Sequence, residues 1–521
     1  MKALNKTLLC LFCILVALIP LAYSFADGIS DPFLHGIVSS VLLYQSAGEI
    51  PIGTTQFRNV PGLGSMWLML SDVSGFNPVL LEFLPIAGGG LFLASFVFAR
   101  RLTNSLYISL AITLVVAFSW LSPTLATMWP HTFGFTLYLL FVLTYMKLRI
   151  GKQVKNILVL WMLFLGMHFL SYTSEFWTIT FVGAVTLVGY LKREPGRSAT
   201  VSLFVALLAT FFGFTEIIYT TYIPDVGPNE FGLGLEYFLS HFLGRLRISS
   251  AGPYAWVAPS PSPVILGVTL GWYSLLFLPL ILAGVRIWAK SGKLIPSLAS
   301  LPVSAVIIGF WLVWLADAVS YALIGALTIG LFRYSTLGAA FFAAPSVNRI
   351  VADRPRHKLK RHVRNSSLVV CCLLVVFSMT LFASGVQQNI QISSKTWYAS
   401  AKPSAVWLLS HRPGVSTIFS DQVTQGQFAI EAARQGIGFS TTHFYDPPSF
   451  AALVNPPAAA DGRSIFSGQY IVVNLDLARF KTSAGGWFDL EPLGPHLSSI
   501  GQNSQLDLVY DDGSVWILSG R

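Results

Sequence analysis

Apolar runs separated by short polar segments recur from the amino terminus to about residue 386. A bilayer core needs about 20 residues of α-helix. The runs therefore predict about eleven membrane spans: 7–25, 78–98, 105–121, 132–147, 157–173, 175–191, 200–222, 263–285, 299–319, 334–351 and 366–386. Two intervening segments are long. In the first, roughly 26–77, Phe33, Leu34, Ile37, Val38, Val41 and Leu42 recur at helical spacing around polar serines. That predicts a short amphipathic helix over 33–47 in the interface plane. Pro61, Gly62 and Gly64 break the chain, and a second short apolar helix, Trp67–Val73, is expected after them. The other segment, roughly 223–262, has Gly and Pro at its ends and helical spacing over Leu235–Leu246.

Beyond residue 387 the long runs give way to short alternating ones at 415–420, 469–475 and 507–518. Period-two alternation predicts strands. Asp511-Asp512-Gly513 supplies turn residues for a hairpin in the last. A helix is expected at 424–435. The chain reads as a polytopic α-helical membrane protein, residues 1–386, followed by a small α/β domain, 387–521.

Composition agrees. Of 521 residues, 54% are hydrophobic and only 11% charged. Mean hydropathy is +0.65, whereas a soluble protein carries about 25% charged residues. A soluble enzyme, a disordered chain and a nucleic-acid reader are excluded. The net charge of +10 is a topology signal. Alternate loops hold 21 of the 33 basic residues, including the run at 353–364, while the opposite loops hold only Arg58, Arg245, Arg247 and Arg333. The positive-inside rule then places the N-terminus inside and residues 387–521 outside. A cleaved signal peptide is the competing reading of residues 1–26, but the alternation works with a retained first span. Cys10, Cys13, Cys371 and Cys372 all fall inside expected spans, which does not support a disulfide framework.

The acids show the reverse bias. Before residue 387 only Glu194 and Asp353 lie in inner loops. The others lie on the outer side or in outer halves of spans: Asp27, Asp31, Glu49, Asp72, Glu82, Glu175, Glu216, Asp225, Glu230, Glu236 and Asp317. Acids contribute little to topology, and charges near lipid tend to mark a functional cavity. Asp31 is the sharpest candidate, in the string DPFLHG with His35 four residues on. A carboxylate there also suits a helix N-cap. His131 follows MWP, His168 and Glu175 bracket the polar string HFLSYTSE, and Arg333 sits in LFRYST. Arg offers a permanently charged fork for phosphate. No P-loop, Rossmann fingerprint or zinc-ligand spacing occurs, and no residue set reads as a metal site.

Taken together, these strings resemble the C-type (GT-C) superfamily of membrane glycosyltransferases, which includes protein O-mannosyltransferases, oligosaccharyltransferase catalytic subunits and aminoarabinose transferases. The matching strings are DPFLHG, GEIPIG, PGLGSMWLMLSDVSGFNP, MWPHTFGFTLYLL, HFLSYTSEFW, LFRYSTLGAAFFAAPSV and the closing VYDDGSVWI. The layout is nearest a dolichyl-phosphate-mannose mannosyltransferase-like or prokaryotic branch. The resemblance implies an inverting hexosyltransferase in the plasma membrane, with its active site facing outside. The donor would be a sugar on polyprenyl phosphate, and the acceptor a glycan, lipid or protein. Asp31 would be the base or orient the acceptor. His35, His131, His168, Glu175 and Arg333 would bind substrate, with Arg333 and His131 or His168 on the lipid phosphate. A divalent metal, magnesium or manganese, is left open. The WWDYG signature is absent, WFDLEP at 487–492 being the nearest string, and Asp27 and Asp31 are not adjacent. The alternatives are a non-catalytic envelope scaffold and a lipid or sugar transporter.

Overall fold

The computed structural model describes residues 32–47, 61–113, 130–148, 154–222, 395–439, 453 and 466–521, with short gaps inside these ranges. The spans expected at 7–25 and between 263 and 386, and the loop at 223–262, lie outside the described residues. In chain order the first helices are α1 (Pro32–Ala47), α2 (Pro61–Ser74), α3 (Pro78–Leu81), α4 (Ile86–Thr103), α5 (Pro130–Leu148), α6 (Val154–Leu170), α7 (Tyr172–Leu191) and α8 (Arg197–Tyr222). After them come α9 (Lys395–His411), α10 (Gln422–Arg434), β1 (Tyr470–Asn474), β2 (Thr482–Ala484), β3 (Phe488–Leu490), α11 (Leu497–Gly501), β4 (Leu506–Asp511) and β5 (Val515–Gly520).

Proline sets many of the starts. Helices α1, α2, α3 and α5 begin on one, because its fixed φ and missing N–H suit the first helical position. Proline also corrects the second expected span. Instead of one helix over 78–98, the chain makes the four-residue α3 and then α4, which starts directly after Pro85 and runs to Thr103. A proline ring cannot sit inside a continuous helix without losing a hydrogen bond and clashing. Helix α4 carries Arg100 and Arg101 in its last turn, where cations complement the helix dipole. Asn104, at φ 52°, ends it, with its N–H on the Arg100 carbonyl at 2.9 Å.

Two compact units form. The first contains α4 to α8. Among the described residues α4 is the one helix long and apolar enough to cross a membrane, and α5 to α8 each contain a shorter apolar stretch. Helix α5 is central and packs on α4, α6 and α7. The core is aromatic: Phe92, Phe98, Phe135, Tyr138, Phe141, Phe164, Trp177 and Phe181 are buried. Edge-on pairs join Phe135 to Trp177 at 5.4 Å and Tyr138 to Phe181 at 6.2 Å, the geometry that ring quadrupoles favour. Leu93, Leu158, Met162, Leu187 and Val205 point outward and are exposed. So much outward apolar surface suits lipid rather than water.

The second unit contains α1 to α3 and residues 388–521. Its sheet has the order β1-β5-β4, all antiparallel. Phe419 adds a parallel bridge to Ile471, which is what forms where a strand is expected over 415–420. Alternation along the strands supplies two cores. Val472, Val515 and Ile517 face Ala405, Leu408, Phe428 and Ala432 of α9 and α10. Ile471, Val473 and Leu518 face Leu453, Phe466 and Ile500.

The β4–β5 hairpin turns at the expected Asp511-Asp512-Gly513. Asp512 Oδ1 accepts the N–H groups of Ser514 and Val515, and Gly513 takes φ 82°. The Tyr510 hydroxyl is pushed up to about 12, first by burial and then by its bond to Asp512. Arg521 donates to Asp507 and holds that carboxyl below its usual range.

Gly520 pairs closely with the preceding turn, since a Cβ there would collide with the Phe466 carbonyl. Gly520→Ala is therefore expected to destabilise the second unit by about 1–3 kcal/mol, the usual cost of overpacking. Thermal unfolding of the purified protein, with Ser519→Ala as control, measures this. An unchanged midpoint would contradict the close approach.

Candidate functional site

The first unit brings two of the expected residues into contact. His168 lies in the last turn of α6 and Glu175 in the first turn of α7. His168 Nδ1 and Glu175 Oε2 are 2.9 Å apart. Helix dipoles favour a cation at the end of α6 and an anion at the start of α7, so the two positions suit the pair. Both side chains are shielded: Glu175 is fully buried, and the His168 side chain is 7% exposed. Burying a carboxylate without a partner is costly, so the histidine is a structural requirement of this glutamate as well as a candidate ligand.

The second oxygen, Glu175 Oε1, is buried and accepts no hydrogen bond among the described residues. It is an acceptor held in a low-dielectric setting and available to a donor group such as a hydroxyl. The surroundings are stiff. Phe169 and Phe211 meet His168 edge-on at 5.7 and 6.5 Å. Thr178 donates its hydroxyl to the Ser174 carbonyl at 2.8 Å.

His131 is the second residue of α5. Phe135, one turn further along, meets Trp177 at 5.4 Å, and Trp177 lies two residues after Glu175. The start of α5 and the start of α7 therefore come together at one end of the helix group. The side chain of His131 lies outside the described residues, as does that of His35, whose backbone belongs to α1. Asp31 and Arg333 lie wholly outside them.

The spacing of seven between His168 and Glu175 does not announce a contact, since on one continuous helix it would be only an ordinary same-face repeat. The readable signal is a histidine ending one apolar run and a glutamate opening the next. The aromatic wall of Phe135, Tyr138 and Trp177 around this end reads in the sequence as ordinary core. Among the described residues no group of three or more His, Cys, Asp or Glu side chains gathers as a metal site would need.

Neither a protein-family model nor a curated protein matches the sequence. Solved structures do. ArnT from Cupriavidus metallidurans, bound to undecaprenyl phosphate, aligns with a TM-score of 0.53 at 12% identity, covering 98% of this chain and 98% of its own. The Archaeoglobus fulgidus oligosaccharyltransferase, tethered to an acceptor peptide with an NVT sequon, aligns at 0.52 and 12% identity, covering 98% of this chain and 74% of its own. At 12% identity the likeness is one of fold.

Removing the Glu175 carboxylate takes from the buried His168 its charged partner and leaves a cavity. Glu175→Ala is expected to cost on the order of 1–3 kcal/mol of stability, read as a lowered unfolding midpoint in detergent. The double variant His168→Phe with Glu175→Leu should recover part of that loss. Equal midpoints for wild type and Glu175→Ala would show that the pair contributes nothing.

Proposed function

We propose that the chain is a membrane glycosyltransferase that moves a sugar from a polyprenyl-phosphate donor to an acceptor at the outer face of the plasma membrane. The observation that carries this reading is the fold, shared over 98% of the chain with a protein bound to undecaprenyl phosphate. Two sequence features support it: the acids before residue 387 crowd one side, and four of the resembling strings, DPFLHG, MWPHTFGFTLYLL, HFLSYTSEFW and LFRYSTLGAAFFAAPSV, contain the candidate residues.

In this reading the acceptor oxygen attacks the anomeric carbon from the face opposite the lipid phosphate. The carbon–oxygen bond to phosphate breaks, its electron pair leaves with the phosphate, and the anomeric configuration inverts. Asp31 takes the acceptor proton or holds the hydroxyl in line. Arg333, with His131 or His168, neutralises the charge growing on the phosphate, the largest electrostatic demand of the step. Glu175, held by His168, directs its free oxygen at an acceptor hydroxyl. His35, four residues after Asp31, binds substrate beside it.

Among the described residues, His168 and Glu175 spend a donor and an acceptor on each other, and no third ligand joins them. The pair alone does not supply the ligands of a magnesium or manganese centre. The lipid-linked donor accounts for an outward site, where nucleotide sugars are scarce, and membrane lipids are its natural surroundings.

The experiment is sugar transfer from radiolabelled polyprenyl-phosphate sugars by purified protein. Asp31→Asn should lower the rate at least about 100-fold, the span of a general base, with folding unchanged. Full activity in that variant would remove Asp31 from the mechanism. A wild type inert with every donor would overturn the reading.

A further inference from the structure

Asp31 directly precedes Pro32, the first residue of α1. One peptide bond, about 3.8 Å from Cα to Cα, joins Asp31 to that helix. Helix α1 does little to fix itself. It is 16 residues long, with no acid in its first turn and no base in its last. Helices of that length are marginal alone.

Within the second unit α1 is gripped from two sides. Gln45 Nε2 donates to Ser71 Oγ at 3.0 Å and to Asp72 Oδ1 at 3.2 Å, both on α2. One position on, and so around the helix, Ser46 Oγ donates to the carbonyl of Ala433 on α10 at 2.7 Å. Val38 and Val41 share the face of Gln45, while Ser39 and Leu43 share that of Ser46. All four are buried.

Helix α10 has two covered faces. Phe428, Ala429 and Ala432 belong to the core against the sheet. Ile430 and Ala433 are equally buried but outside that core, and α1 is the element most extensively packed on α10. Beside them Glu431 is bonded by Gln427 at 3.2 Å and by Arg434 at 2.5 Å, so the charge at this face is satisfied. A self-sufficient outer domain has no need of a second apolar helix face. This one is committed to α1.

We propose that the outer domain is a positioning element of the transfer site: α10, through Ile430, Ala433 and the Ser46–Ala433 bond, holds α1 where Asp31 is needed. Ser46 and Ala433 are then positioning residues acting through Asp31. The proposal rests on the transferase reading.

The test uses full-length protein and two readouts: kcat and donor KM for sugar transfer, and hydrogen exchange of residues 32–47. Ala433→Trp should wedge the interface. It is expected to lower kcat at least about tenfold, as a small misplacement of a reacting group does, with donor KM little changed. Exchange in 32–47 should rise while 470–474 and 515–520 stay protected. Ser46→Val, a smaller change that keeps the domain intact, should move both readouts in the same direction. Ser498→Trp, on the exposed surface of α11, should move neither. Unchanged kcat with faster exchange, or lowered kcat with exchange in 32–47 unchanged, overturns the proposal. A wild type that transfers no sugar fails the transferase reading first and takes the proposal with it.

Discussion

A polar group that lies among apolar helices must find its partner inside the fold, since lipid offers none. Among the described residues of the first unit, a buried glutamate meets that rule through the histidine that ends α6, the glutamate itself opening α7. The contact joins two helix ends whose dipoles both favour it. The break between α6 and α7 and the start of α5 at the same end all converge there. Large rings then fill the space around it, and one carboxylate oxygen is buried without a hydrogen bond among the described residues. A stabilising pair and an acceptor aimed at substrate are thus compatible roles for the same glutamate.

The second unit obeys the same rule by different means. Its sheet is covered on both faces, and the buried Glu431 is satisfied by Gln427 and Arg434. What sets this unit apart from a free-standing α/β domain is α1. A segment more than three hundred residues away in sequence supplies the cover for α10. Helices α1 to α3 and the C-terminal elements belong to one compact unit.

Much of this was legible in the sequence, for physical reasons. Helices α5 to α8 follow from runs of apolar residues long enough to form spans, and their ends fall within three residues of expectation. The closing hairpin follows from alternation and from two aspartates that can bond the turn amides. The division of the second expected span did not follow, because hydropathy is blind to what Pro85 does to backbone hydrogen bonding. The embrace of α1 by α10 did not follow either. Amphipathic spacing in 33–47 says that one face is buried but not against what, and an interface with lipid writes the same pattern. In the candidate site, residue types were legible while the pairing of His168 with Glu175 was not. A contact across a helix break depends on the angle between two helices, and composition does not encode that angle.

The central claim is that this end of the helix group receives the phosphate of a polyprenyl donor. The direct measurement is photo-crosslinking of the purified protein with a polyprenyl phosphate bearing a photoactivatable group near the phosphate, followed by peptide mapping. Adducts are expected on the peptides spanning 130–138 and 168–177, and on the one containing Arg333, all competed away by unlabelled polyprenyl phosphate. Adducts confined to outward apolar positions such as Leu158 and Met162, and indifferent to competitor, would contradict it.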